Sequence, residues 1–164
     1  MEKTYRYLVQ LGQTRDPLWR RRAIWVGPRQ ARRDMRIRRS EVRDWLDVDA
    51  MERACDELRG THDFRAFRSY RDKRDRTERT LFELALEEDT FGQPGLLGIL
   101  VRGNGFMHNM VRIIAGTLLD VGRGRYSREE VNAMLGPDAS RQRVGPTAPA
   151  RGLTLVHMKL GIES

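Results

Sequence analysis

At 164 residues, with one cysteine and a formal net charge of +8, the chain has the size of one ordinary domain that buries roughly two thirds of the surface its unfolded form exposes. Cys55 alone excludes an internal disulfide and a cysteine-rich zinc site; no apolar run approaches the roughly 18 residues of a membrane span, and "MEKTYRYLVQ" lacks an apolar signal core, so a cytoplasmic protein without membrane association is expected. Of 31 basic residues only Lys3, Lys73 and Lys159 are lysines; arginine's planar fork suits phosphate and base stacking, which points to a nucleic-acid partner, although GC-rich coding produces the same excess with no functional meaning.

In "YRYLVQL", Tyr5, Tyr7, Val9 and Leu11 alternate with Arg6, Leu8 and Gln10, which predicts a half-buried strand with both tyrosines on one face. A short second strand is expected around "RRAIWV". Residues 27–45 then form an arginine-rich insertion with seven arginines and little apolar content, open to two readings: a mobile basic loop, or a solvated insertion with no role. Asp47 to Gly60 carries a helix pattern, with Val48, Met51, Cys55 and Leu58 on one stripe. "THDFRAFRSYRDKRDRTERT" follows as a polar connection anchored by Phe64 and Phe67. "TLFELALEE" and "GLLGILVRG" flank the turn-rich "DTFGQPG", predicting a hairpin whose second strand is the more buried.

Next come a helix within "GNGFMHNMVRIIAGTLLDVGRGR", residues 103–125, and a short one in "SREEVNAMLGP", with Ser127 and Glu130 as a capping box and Gly136-Pro137 as its stop. "GLTLVHMKL" closes the chain as a strand. No repeat or linker divides it. The expected architecture is a single α+β domain over 1–164: about four or five strands in a mostly antiparallel sheet, with helices on one face.

One residue in the longer helix is out of keeping with its surroundings. At about 100° per residue, Met107, Met110, Val111, Ile114, Leu118 and Val121 share a stripe, and Arg112 falls opposite with Asn109, Gly116 and Asp120. Ile113 and Leu119 flank that polar side, so the helix should be largely enclosed. A guanidinium there cannot shed its proton and needs an anion, a carboxylate or a phosphate, unless it snorkels to solvent or pairs with an unremarkable acid. Asp120 lies two turns away, beyond one-turn pairing. His108 shares the ambiguity of Arg112. With His62, His108, His157 and Cys55 scattered along the chain, no metal site is expected.

These residues resemble a family. "GNGFMHNMVRIIAGTLLDVGRGR" is similar to the Gly-Asn-x-Phe turn and Met-Val-Arg helix of the TruA-type tRNA pseudouridine synthases. "YRYLVQL" resembles that family's Tyr-x-Tyr strand. "MERACDELRGTHDFRAF" matches its helix and Gly-x-His-Asp-Phe-x-x-Phe segment, and "TAPARGLTLVHM" its Thr-Ala-x-Ala-x-Gly-Leu-x-Leu ending. Four collinear pieces cover Tyr5 to Met158. The resemblance implies isomerisation of uridine to pseudouridine in the tRNA anticodon stem-loop, by a homodimer with no cofactor and no catalytic metal. It also implies that Tyr5 packs on the target base and that Arg112 pairs with an aspartate nucleophile. Asn104, Phe106 and His108, with Arg29, Arg32, Arg33, Arg36, Arg38 and Arg39 of the basic insertion, are the candidate RNA-binding residues.

The family's nucleophile lies in an Arg-Thr-Asp-x-Gly-Val-His-Ala segment, and nothing in the chain matches it. Asp16 in "QTRDPLW" lacks the continuation and follows the tyrosine strand instead of preceding it; Asp63 is assigned to structure. The resemblance therefore covers only the family's C-terminal half. Two functions of different class follow: the C-terminal part of a synthase, complemented by an N-terminal half carrying the nucleophile, or a noncatalytic tRNA-binding module.

Overall fold

The computed structural model describes residues 1–27 and 42–160. Among these residues, six strands form one sheet in the order β2-β1-β5-β4-β3, with β6 also paired to β1. They are β1 (Glu2–Leu11), β2 (Ile24–Val26), β3 (Gly60–Asp63), β4 (Glu78–Glu87), β5 (Leu96–Gly103) and β6 (Leu153–Lys159). The helices are α1 (Val48–Leu58), α2 (Met110–Gly122) and α3 (Arg128–Asn132). Every pairing is antiparallel except β1 with β2. The α+β class and the mostly antiparallel sheet are as the sequence predicts.

β1 is the centre of the molecule. One edge pairs with β5 from Lys3–Gly103 to Gln10–Leu96. The other edge is shared, β6 taking the first half and β2 the last three residues. Alternation along β1 sends Tyr7, Val9 and Leu11 into the main core with Leu97, Ile99 and Val101 of β5 and the apolar faces of all three helices. On the opposite face Leu8 and Leu96 form a small cluster with Ala23 and Trp19. β5 is more buried than β4, as expected of the hairpin.

The caps follow local chemistry. Asp47 accepts from the Ala50 N–H at the start of α1, and Ser127 with Glu130 makes a reciprocal capping box on α3. Two expectations need correction. The first residues of the polar connection form β3, a strand too short and polar to show a period; it exists because β4 supplies its partners, His62 opposite Arg79 and Thr61 opposite Thr80. Phe64 and Phe67 anchor the remainder with no exposure. Further on, α2 begins only at Met110, because Asn109 takes a left-handed conformation (φ 63°) that separates the 103–109 turn from the helix. Among the described residues no helix is long and apolar enough to cross a membrane.

Candidate active site

β5 ends at Gly103, where a Cβ would lie 2.8 Å from the Thr80 carbonyl oxygen and 3.1 Å from the tip of the Phe106 ring. Glycine thus lets the Phe106 ring lie over the strand end, where it meets Tyr5 edge to face at 5.4 Å and 84°. Asn104 prolongs the β4–β5 ladder: its N–H donates to the Thr80 carbonyl at 3.1 Å, and its Oδ1 accepts from the Thr80 N–H at 3.0 Å. The His108 side chain is exposed, while its backbone N–H donates to Asp72 Oδ2 at 2.7 Å and its carbonyl accepts from the Ser69 N–H.

Asp72 organises this turn from outside it. Its buried carboxylate also accepts from Arg74 Nε, Nη2 and N–H, at 3.0, 2.8 and 3.1 Å. The Arg74 fork, then the two backbone N–H groups, hold the carboxyl well below the usual range despite its burial. Asp63 repeats the Asp-x-Arg unit, with Arg65 bonded through Nε, Nη2 and N–H, and it also accepts from the Thr77 hydroxyl at 2.6 Å. Partial burial pushes the Asp63 carboxyl up, but these donors outweigh it and the net shift is downward.

Arg112 sits on the side of α2 facing the 145–149 segment. Its Nε donates to the Ala148 carbonyl at 2.7 Å and its Nη1 to Asn109 Oδ1 at 3.0 Å, while the Ala148 N–H donates back to the Arg112 carbonyl at 3.0 Å. The segment lies on the helix backbone itself. A Cβ on Gly116 would be 1.8 Å from the Pro146 carbonyl oxygen, and one on Gly145 would be 2.5 Å from the Thr117 Cα. Thr117 Oγ1 accepts from the Gly145 N–H; Arg141 binds the Gly145 carbonyl and the Thr147 hydroxyl. Tyr7 completes the clamp, its hydroxyl donating to the Pro149 carbonyl at 2.7 Å. Burial raises the Tyr7 hydroxyl's pKa, opposed in part by the charges of Arg112 and Arg151.

Among the described residues, no anion partner for Arg112 lies beside it. Both acceptors are neutral, and among the described residues no carboxylate lies within salt-bridge distance and nothing bonds Nη2. Asp120 is committed elsewhere, at 3.0 Å to both Arg123 and Arg125. A half-buried guanidinium fixed in orientation by neutral oxygens is able to bond an anion.

Of the residues singled out from sequence, Tyr5 and Phe106 are in direct contact. Arg112 bonds to neither of them; it and Tyr7 grip the adjacent carbonyls of Ala148 and Pro149. Asn104 and His108 serve the turn's backbone. Arg29, Arg32, Arg33, Arg36, Arg38 and Arg39, with most of the 27–45 insertion, lie outside the described residues. Sequence reasoning missed Asp72, Tyr7 and Arg141. The Asp-x-Arg spacing, which Asp72/Arg74 shares with Asp63/Arg65, is a legible signal for Asp72; the other two act on backbone carbonyls and leave no pattern.

A family described as tRNA pseudouridine synthase matches residues 54–159. The chain is 36% identical over 159 residues to tRNA pseudouridine synthase A of Shouchella clausii, covering 97% of this chain and 53% of that protein. It is 37% identical to the protein of that name from Geobacter sp. strain M21, covering 96% and 56%. With the one from Halalkalibacterium halodurans identity reaches 46% over 112 residues, 68% of this chain and 41% of the relative. The chain spans about half the length of the curated relatives it matches, and it belongs to the TruA-type tRNA pseudouridine synthase family.

Proposed function

We propose that this chain forms the tyrosine- and arginine-bearing part of a tRNA pseudouridine synthase site acting on uridine in the anticodon stem-loop, completed by an aspartate from outside residues 1–164. The observation that carries this reading is Arg112: an oriented, half-buried cation whose partners among the described residues are neutral. A carboxylate beside it would have its pKa lowered and its orientation fixed, which an enclosed nucleophile requires. The target base must leave its stack to be reached, and the Tyr5–Phe106 pair offers an aromatic surface for it. The N1–C1′ glycosidic bond then breaks, the uracil turns, a C5–C1′ bond forms, and the C5 proton is lost as N1 takes one up, a balanced isomerisation with no redox or energy input. Assembly follows the family as a homodimer, or as a complex with a complementing N-terminal half.

The test is to mix the chain with a separately produced segment carrying the Arg-Thr-Asp-x-Gly-Val-His-Ala motif and assay pseudouridine in unmodified tRNA. Turnover should require both components and should be abolished by Arg112→Ala. Turnover that survives Arg112→Ala contradicts the assignment. The lack of any match to the aspartate segment also favours a second reading, a noncatalytic tRNA-binding module; it predicts salt-sensitive tRNA binding and no turnover in the mixture.

A further inference from the structure

Beside the Tyr5–Phe106 pair, the amino end of β1 and the segment leading into β4 enclose an open cleft of about 390 Å³. Lys3, Arg74, Arg76 and Arg79 line it together with Asn104 and Phe106, and Glu78 is its only acid among the described residues. Lys3 is two residues before Tyr5 on the same face of β1 and opposite Gly103, the residue over which the Phe106 ring lies. One strand face therefore runs from a basic cleft to an aromatic contact within about 7 Å of chain.

The cations of this cleft are poorly neutralised. Lys3 and Arg79 have no carboxylate within salt-bridge distance among the described residues, and Arg76 reaches Glu78 only at 3.9 Å, with both side chains mostly exposed. Arg79 is half-buried and spends its Nη1 on the carbonyls of Arg76 and Glu78. Desolvation, then the like charges of Arg74 and Arg76, hold its guanidinium below its ordinary pKa. Crowding several cations around the single acid Glu78 is unfavourable in the free protein and is relieved when an anion enters. Arg74 is anchored differently, by Asp72, and its Nη1 points to the Phe106 carbonyl at 3.4 Å. It ties the basic cleft to the turn that presents the aromatic ring.

We infer that this cleft binds the RNA backbone phosphates flanking the nucleotide whose base meets Tyr5 and Phe106, Lys3, Arg76 and Arg79 supplying the charge. The inference rests on the tRNA reading given above and adds a location to it. Phosphate is favoured over a protein carboxylate because the cleft borders an aromatic contact and offers several separate cations in place of one fork matched to one acid.

The experiment measures binding of unmodified tRNA to the 164-residue chain between 50 and 300 mM salt (about one to six times the lower limit of such titrations). It compares the unaltered protein, Lys3→Ala/Arg76→Ala, and a control of equal charge loss, Arg20→Ala/Arg53→Ala, whose side chains are exposed on other elements. Each lost phosphate contact should lower the slope of log affinity against log salt by about 0.7–0.9, so the cleft variant should lose about 1.5 and the control almost nothing. Circular dichroism confirms that both variants fold. If the unaltered chain binds with a steep salt slope and the cleft variant matches the control, the cleft assignment is wrong while the tRNA reading stands. If the unaltered chain does not bind tRNA even at 50 mM salt, the tRNA reading fails and the inference fails with it.

Discussion

Replacing Gly116 by alanine sets two effects against each other, and the structure decides the sign. Gly116 lies inside α2, where alanine's helix propensity should stabilise by about 1 kcal/mol. Its added Cβ, however, would lie 1.8 Å from the Pro146 carbonyl oxygen, when such contacts are essentially never seen under 3.0 Å. The 145–149 segment must retreat by at least the difference, 1.2 Å, because the opposing atom is backbone and cannot rotate aside. A shift of that size away from the helix takes the Arg112 Nε–Ala148 bond (2.7 Å) and its Ala148 N–H counterpart (3.0 Å) beyond bonding range. Overpacking costs about 1–3 kcal/mol and each lost hydrogen bond about 0.5–1.5, so the net destabilisation is about 3 kcal/mol after the propensity gain. Urea denaturation followed by circular dichroism would show the midpoint fall with an unchanged m value, and a thermal scan a drop of about 6–12 °C. A midpoint that stays level or rises would refute the close backbone contact, and with it the account of how Arg112 is held.

Asp72→Asn should destabilise by about 2 kcal/mol at neutral pH, since a buried carboxylate serving Arg74 and the His108 N–H loses its charge. Because the folded-state pKa of Asp72 is depressed, its contribution is present above the ordinary carboxylate pKa of about 4 and lost as pH falls below it; the variant's acid limb should be flatter in pH-resolved melts. Tyr7→Phe should remove about 1 kcal/mol and lower the melting temperature by about 2–4 °C, as the Pro149 carbonyl loses its donor. Cys55 is buried and burial pushes its thiol up to about 12, so at pH 8 it should resist a thiol-labelling reagent until the protein is unfolded; rapid labelling of the native chain would contradict that burial.

Features set by near neighbours were legible in the sequence. The Tyr5–Leu11 alternation, the Ser127/Glu130 box and the turn between β4 and β5 each need only a few adjacent residues, and each appears where expected. β3 was not legible because its stability comes from β4, which lies beyond a polar loop. The start of α2 was not legible either, because the apolar stripe already includes Met107 and an asparagine in a left-handed conformation delays the helix to Met110 without breaking that period. Arg112 shows the limit most clearly. Its position among apolar residues flagged it, but the expected partner was an anion and the partners found are a carbonyl more than 30 residues away and an amide one turn back. Only the fold brings Ala148 to it, through two glycines whose role is to have no side chain.

The central claim is that these residues hold one part of a catalytic site and that the aspartate lies elsewhere. The most direct measurement is the pseudouridine content of unmodified tRNA after incubation with the 164-residue chain alone, quantified by mass spectrometry of the nucleosides. The account predicts tRNA binding without pseudouridine formation. Robust turnover by the chain alone would contradict it and would place a nucleophile within residues 1–164.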